Sequence, residues 1–446
     1  MPASSCHGLS KRGWANVETI MPKIKGAVAQ RKIKNNANID LSTAENWLMR
    51  PELMEICKAA VEEHLEPRHF SYPRGFSGDP DLLDAFAAFF NTYFAPQAPV
   101  LPSHLSTAPG AAGCIDALLY NICEPGDGVL LPGMYWNGFD FTMRVRSQVN
   151  PVAVQLHSLA STFSSAELIP ALEQAYRSSE YTIRALMITN PHNPLAICYP
   201  KAVLIDCLRF CARHDLHFIS DEVYALTSFT SPDLPSPTPF TSVLSLDLDA
   251  VGAVKSRVHM VWSTSKDFGQ SGMRMGCAVS QHSEEMAVGL ALAANTVTSA
   301  LSSIFVTRLL TSAELPALVR TNSERLGAAY ATLTAFFAES GVRYAPCNAG
   351  LYVFARLAGD VETWEEEEAM VERLKHAGVL VSAGRAYHGP AREKGWMRVG
   401  FAVEESELRE AIRRMKCVLE EVKMAKGING HHAENAPSHL FLESTP

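Results

Sequence analysis

The sequence predicts an α/β protein: a largely parallel sheet with helices on both faces, and a second, smaller α+β domain. Three observations carry this. Short apolar or β-branched runs recur through the middle of the chain, helical stretches alternate with them, and polar turns rich in Asn, Pro, Gly and Asp follow the runs. In open α/β sheets such turns gather at the carboxyl ends of the strands, where ligands bind.

Taken in order, Pro22 to Lys34 reads as a basic helix, Leu53 to His64 as an amphipathic one, and Asp81 to Phe94 as a more strongly amphipathic one. The turn from Tyr72 to Pro80 between the last two is aromatic and Gly-rich. Pro109-Gly110-Ala111-Ala112-Gly113 then opens an apolar helix, Cys114 to Cys123. Strands are expected at Gly128–Leu131, Pro151–Val154, Arg184–Thr189, His217–Ser220 and Val258–Trp262, with helices at Ser165–Ser178 and Lys201–His214. Thr227 to Asp247 is rich in Ser, Thr and Pro and reads as a mobile surface loop, long enough for a lid. Met286 to Thr307 carries no charge, but its Asn, Ser and Thr content favours a buried or interface helix over a membrane span. After a helix from Glu314 to Glu339, strands at Tyr344–Leu357, Val379–Val381 and Met397–Val403 and a helix from Glu405 to Met424 form the smaller domain. Gly427 to Pro446 is polar and is expected to be disordered. The expected boundaries are 1–69 for an N-terminal segment and part of the small domain, 70–315 for the large domain, 316–426 for the rest of the small domain, and 427–446 for the tail.

A chain of 446 residues is long enough for these two domains, and 47% hydrophobic with 19% charged residues is ordinary for a globular protein. A net charge of −8 argues against nucleic acid or an anionic membrane as partner. Ten cysteines without a C-x-x-C pair suit buried thiols in a reducing compartment better than disulfides or a metal site. The first thirteen residues lack the apolar core of a signal peptide, so a cytoplasmic protein is expected.

The chemistry concentrates after the strand ending at Trp262. There Ser263-Thr264-Ser265-Lys266 leads through Gly269 and Gly272 to Arg274 and Gly276. A lysine that forms a Schiff base with a cofactor aldehyde, beside a Ser and an Arg that hold a phosphate, needs this layout. The pattern S-x-S-K-x-x-G-x-x-G-x-R-x-G resembles the lysine motif of the class I/II aminotransferases, which use pyridoxal 5'-phosphate. The other parts of such a site follow in family order between residues 110 and 400. The resemblance implies a fold-type-I enzyme, whose large domain holds a mostly parallel seven-stranded sheet.

Residue by residue, the resemblance makes Lys266 the aldehyde-binding lysine and general base. Asp221, in Ser220-Asp221-Glu222-Val223-Tyr224, would pair with the pyridinium nitrogen, and Tyr224 with the phenolic oxygen. Asn193, in Asn190-Pro191-His192-Asn193-Pro194-Leu195-Ala196, would bond that same oxygen and help fix the substrate. The family usually has Gly where this chain has Ala196. Gly110, Ala111 and Ala112 would cup the phosphate at a helix N-terminus, completed by Ser263 and Arg274. Trp136 would stack on the pyridine ring, with Tyr135 as the alternative. Arg398, a lone Arg in the strand from Trp396 to Ala402, would grip the substrate carboxylate with its planar fork.

Ala44-Glu45-Asn46 and Gly138-Phe139-Asp140 are similar to the 1-aminocyclopropane-1-carboxylate synthase branch, in which the Glu faces the substrate, and to synthase-like proteins of fungal biosynthetic pathways. That branch has a Tyr two residues before the Gly matching Gly78, reaching the neighbouring subunit's cofactor. Here Phe76 stands there, and Tyr72 is the candidate for that contact. A homodimer with a shared site is therefore expected. The implied activity removes the Cα proton of an amino acid bound to the cofactor. Transamination is placed first, β-elimination of a C–S bond second and cyclopropane formation third. A non-catalytic ligand sensor of the same fold is the contrasting possibility.

Overall fold

The computed structural model describes residues 8–19, 38–294 and 297–425. The expected helix at 22–34 and the tail at 427–446 lie outside them. Two compact units are distinguished, Met1–Ile39 and Asp40–Pro446. The first contains a helix over 11–19.

The main sheet of the second unit has seven strands: β1 (Leu105–Ala108), β2 (Gly128–Pro132), β3 (Asn150–Val154), β4 (Ile183–Thr189), β5 (His217–Asp221), β6 (Val258–Ser263) and β7 (Gly276–Val279). They lie in the order β1-β7-β6-β5-β4-β2-β3. The pairs β2/β3, β2/β4, β4/β5 and β5/β6 are parallel, and β7 runs antiparallel to both of its neighbours. Every strand but β7 therefore points the same way. β2, β4, β5 and β6 are almost entirely buried, as strands covered on both faces must be. Helix α1 (Arg50–His64) precedes the sheet, and α2 (Pro80–Tyr93) begins at an Asp79 cap that accepts from the Asp81 N–H, with Pro80 in its first turn. Phe86, Phe89 and Phe90 of α2 pack on Trp262 of β6 at ring separations of 6.1, 4.7 and 5.9 Å. Each fully buried ring is worth about 1.5–3 kcal/mol, so α2 fixes the strand that leads to Lys266.

Helices α3 (Gly110–Ile122), α4 (Phe139–Val145), α5 (Ser165–Ser178) and α6 (Lys201–Arg213) fall between the strands, α4 being a short one that the sequence reading does not mark. The uncharged run 286–307 is two helices rather than one, α7 (Glu284–Ala294) and α8 (Ala300–Leu310). The polar residues between them interrupt the apolar pattern. Thr227 to Asp247 is also less free than a lid would be. Phe229 is buried against Tyr330 and Phe401, and Asp233 accepts hydrogen bonds from Tyr330 and Tyr344. Its tip, around 235–239, is largely exposed.

After the long helix α9 (Leu315–Ser340), an antiparallel sheet forms from β8 (Tyr344–Ala345), β9 (Tyr352–Ala355), β10 (Ser382–Ala383) and β11 (Met397–Gly400), ordered β10-β11-β9-β8. Arg398 sits on β11 opposite Phe354 on one side and Ser382 on the other. Helices α10 (Trp364–His376) and α11 (Glu405–Ala425) complete this region. Among the described residues the cysteines are free, and no helix is long and apolar enough to cross a membrane.

Candidate active site

Because β1 and β2 to β6 share one direction, the segments that follow them meet at one edge of the sheet. Lys266 lies in the helical turn Thr264–Asp267, capped by Ser263, directly after β6. Its amine donates to the Ala44 carbonyl. Burial, reinforced by the charge of Arg398, pulls Lys266 down to about 8, and nearby Glu45 opposes the shift.

Asp221 ends β5 and is buried, which pushes it up to about 7. The Thr189 hydroxyl lies 3.4 Å from Oδ2, while Oδ1 is buried with no hydrogen-bond partner. A carboxylate left this way is costly and favours a cationic or N–H partner. Tyr224 follows, buried, its phenol pushed up to about 12 by burial.

The turn after β4 has cis bonds at Asn190–Pro191 and Asn193–Pro194. Asn190 braces it, accepting from the Tyr199 N–H and donating to the Thr241 carbonyl, both at 3.0 Å. Asn193 Oδ1 accepts from Arg398 Nη1 at 3.0 Å, and Arg398 Nη2 donates to the Ser42 carbonyl at 2.6 Å. Arg398 is buried, and its Nε–H has no partner. Ala196 takes a left-handed φ of 55°, which explains why Gly is the commoner choice there.

After β1, α3 starts at Pro109 and Gly110 with no side-chain cap, leaving the N–H groups of its first turn, Ala111 and Ala112 included, turned to the strand ends. Arg274 closes this end, donating to the carbonyls of Ser271 at 2.8 Å and Pro109 at 2.7 Å. Gly110 has φ 74°, and a Cβ there would come 2.6 Å from Arg274 Nη2. Gly276, paired with Ser263 across β6 and β7, would place a Cβ 2.5 Å from the Gly110 carbonyl carbon. Ser263, Gly276, Gly110 and Arg274 thus pack closely together at the strand ends.

Two aromatic residues follow β2. Tyr135 is buried, stacked on His388 at 4.3 Å, and its hydroxyl donates to Asp140 Oδ1 at 3.1 Å. Trp136 remains 37% exposed, its indole folded over Gly138 and edge-on to Phe139. Glu45 pairs with Arg50 at 3.0 Å, and Arg50 covers the Trp47 ring. Tyr72 is 87% exposed and Phe76 is 49% exposed, and neither joins the cluster within this chain.

The structure adds contacts that the sequence motifs do not mark, and one residue, Asn322, outside them. Asn46 donates to Asn322 at 2.8 Å, and Asn322 donates to the Asp267 carbonyl at 3.2 Å, tying the 42–46 segment and α9 to the lysine turn. Asp267 is held by the Trp262 indole N–H at 2.7 Å and the Leu226 N–H at 3.2 Å, and burial raises it well above the usual range. A polar residue on the buried face of a helix was the available signal for Asn322.

Residues 37–415 match the family described as aminotransferase class I and II. The chain belongs to this aminotransferase family. It is 51% identical to the probable aminotransferase aclI of Aspergillus oryzae, covering 94% of this chain and 99% of that one. The probable aminotransferase gliI of Aspergillus fumigatus is 37% identical over 92% of this chain and 96% of its own length. A rice (Oryza sativa subsp. japonica) 1-aminocyclopropane-1-carboxylate synthase 3 is 30% identical over 89% of this chain and 88% of its own, in line with the branch-like motifs. Among solved structures, an aspartate aminotransferase mutant of Thermus thermophilus superposes with a TM-score of 0.73 at 22% identity, covering 92% of this chain and 99% of that one. This aminotransferase has the fold-type-I α/β architecture that its motifs implied.

Proposed function

We propose that this aminotransferase works on an amino acid or amino-acid-derived substrate of specialised metabolism, with pyridoxal 5'-phosphate held at the sheet edge just described. A relative 37% identical over 78% of this chain is the trimodular acetylaranotin synthesis protein ataIMG of Aspergillus terreus, and that favours a biosynthetic setting. The observation that carries the reading is Asp221, a buried carboxylate with an unpartnered oxygen, placed near a buried lysine. The residues present fit the cofactor. Asp221 suits a protonated ring nitrogen, Lys266 an aldehyde, Tyr224 and Asn193 a phenolic oxygen, and the uncapped α3 end with Gly110, Ala111, Ala112, Ser263 and Arg274 a phosphate.

When bound, the cofactor supplies an aldehyde that captures the substrate amine and a ring that draws electrons from the adjacent carbon. The chain's own groups do the rest. Lys266, pulled down to about 8, has an accessible neutral form near neutral pH and takes the proton from the substrate Cα. Arg398 and Asn193 fix the substrate carboxylate, Trp136 covers the ring, and Glu45 faces the substrate. Residues 70–315 then serve as the cofactor-binding domain, with 316–426 and part of the segment before residue 70 supplying the smaller one. A homodimer is part of the proposal. Tyr72 would reach a second copy's phosphate, and exposed Phe70, Val288, Leu292, Val297 and Leu301 suit burial against that copy.

The test mixes the cofactor-loaded protein with L-amino acids and S-alkyl cysteine conjugates. Conversion of the cofactor to its amine form, reversed by a keto acid, is the expected result. Pyruvate and ammonia accumulating while the cofactor keeps its aldehyde form would replace transamination with β-elimination.

A further inference from the structure

Arg398 is a buried cation that no carboxylate contacts within salt-bridge distance among the described residues. Its hydrogen bonds go to an amide oxygen and a backbone carbonyl, and its Nε–H has none. Burying a guanidinium without a counter-ion is expensive. Two aromatic faces offset part of that cost. The guanidinium carbon lies 4.6 Å from the ring centre of Tyr352 on β9 and 5.2 Å from that of Tyr387 in the turn Gly384–Tyr387. Both rings are almost fully buried. Tyr387 is itself anchored, because its carbonyl accepts from the Tyr135 N–H at 3.0 Å and the next residue, His388, bonds Asp140 at 3.0 Å.

We propose that Tyr352 and Tyr387 are positioning residues that bracket Arg398 and keep its charge available for a substrate α-carboxylate. A carboxylate partner would stabilise the cation more strongly but would compete with the substrate for the same fork. A ring face stabilises the positive charge while offering no oxygen to occupy the N–H groups. The pair therefore sets the preference of the site for a free carboxylate over a neutral amide. This rests on the reading of Arg398 as the carboxylate anchor.

The probes are the L-amino acid giving the largest response in the screen above and its carboxamide, titrated by absorbance into the cofactor-loaded protein. Tyr352→Leu and Tyr387→Leu should each weaken carboxylate binding about tenfold and carboxamide binding little. KM should rise while kcat at saturation stays near its original value. Tyr352→Phe and Tyr387→Phe, which keep the faces, should bind like the parent. Replacing residue 352 with Phe carrying one, two and three fluorines leaves packing nearly unchanged and should weaken carboxylate binding stepwise, which covers the case of a leucine variant that does not fold. Equal losses for both probes, unchanged carboxylate affinity in folded leucine variants, or no trend with fluorination would overturn the bracket. Arg398→Ala separates this from the underlying reading. If that variant still prefers carboxylate to carboxamide, the anchor assignment fails irrespective of the tyrosines.

Discussion

Strands β5 and β6 carry buried polar groups at both of their ends, and the two ends are built differently. At the amino ends His217 Nδ1 meets His259 Nε2 at 2.9 Å, and His259 Nδ1 meets Ser280 Oγ at 2.8 Å. None of the side-chain nitrogens and oxygens in that chain is buried without a partner. At the carboxyl ends Asp221 keeps an orphaned oxygen, Lys266 rests on a backbone carbonyl, and nearby Arg398 has an unused N–H. The same strands and the same burial thus give a closed polar chain at one edge and an unfinished one at the other. An unfinished buried network is expensive for a fold alone and is explained by a ligand that completes it.

The sharpest break of this comparison is at the unfinished edge. Lys266→Ala should remove turnover of every substrate while leaving the fold intact, and activity retained in that variant would end the assignment. Asp221→Asn comes next, with an expected loss of roughly a hundredfold or more in rate. In the cofactor-free protein the same change should stabilise. Asp221 is raised from 3.8 to about 7 on folding, so its burial cost grows as pH rises from about 4 to 7 and is constant above. Thermal unfolding should therefore show Asp221→Asn gaining stability over the parent at pH 8 and much less at pH 4.

The closed edge predicts the reverse pattern. Ser280→Ala leaves His259 Nδ1 without its partner and should cost about 1–3 kcal/mol of stability with no change in kinetics. Burial lowers His217 to about 4 and His259 to about 3, so the fold favours their neutral forms. Their contribution is intact above about 6.5 and is lost as pH falls toward 4, which a melting series from pH 7.5 to 4.5 would reveal. The smallest effect belongs to Ala196→Gly. Relief of the left-handed φ, about 1 kcal/mol, is largely offset by glycine's greater unfolded entropy, leaving a shift under about 1 kcal/mol by denaturant titration.

Much of the unfinished edge was legible in the sequence because each part is a contiguous motif after an apolar run. Asp221, Asn193 and Lys266 each follow a strand, and Arg398 is a single charge within one. Five of the seven sheet strands followed from the same runs, with ends shifted by a residue or so, while β1 and the antiparallel β7 carry no comparable run in the sequence. What the sequence hid is held by distant contacts. Tyr352 looks like any core aromatic until Arg398 is folded onto it from 46 residues away. Tyr387 and His388 lie in an unremarkable turn, and Asn322 is one amide in a long helix. The carbonyls of Ser42 and Ala44, which receive the two cations, have no side-chain signature at all. The polar composition of 227–247 suggests a free loop, yet Phe229 and Asp233 pin it to α9 and β8 through contacts that composition does not record.

An aldehyde cofactor on one particular lysine would complete the unfinished edge. Pyridoxal 5'-phosphate added to the purified protein, fixed with borohydride and followed by peptide mapping, tests it most directly. A single stoichiometric adduct on Lys266, lost or much reduced in Asp221→Asn, is the expected result. An adduct spread over surface lysines, or absent from the peptide containing Lys266, would contradict it.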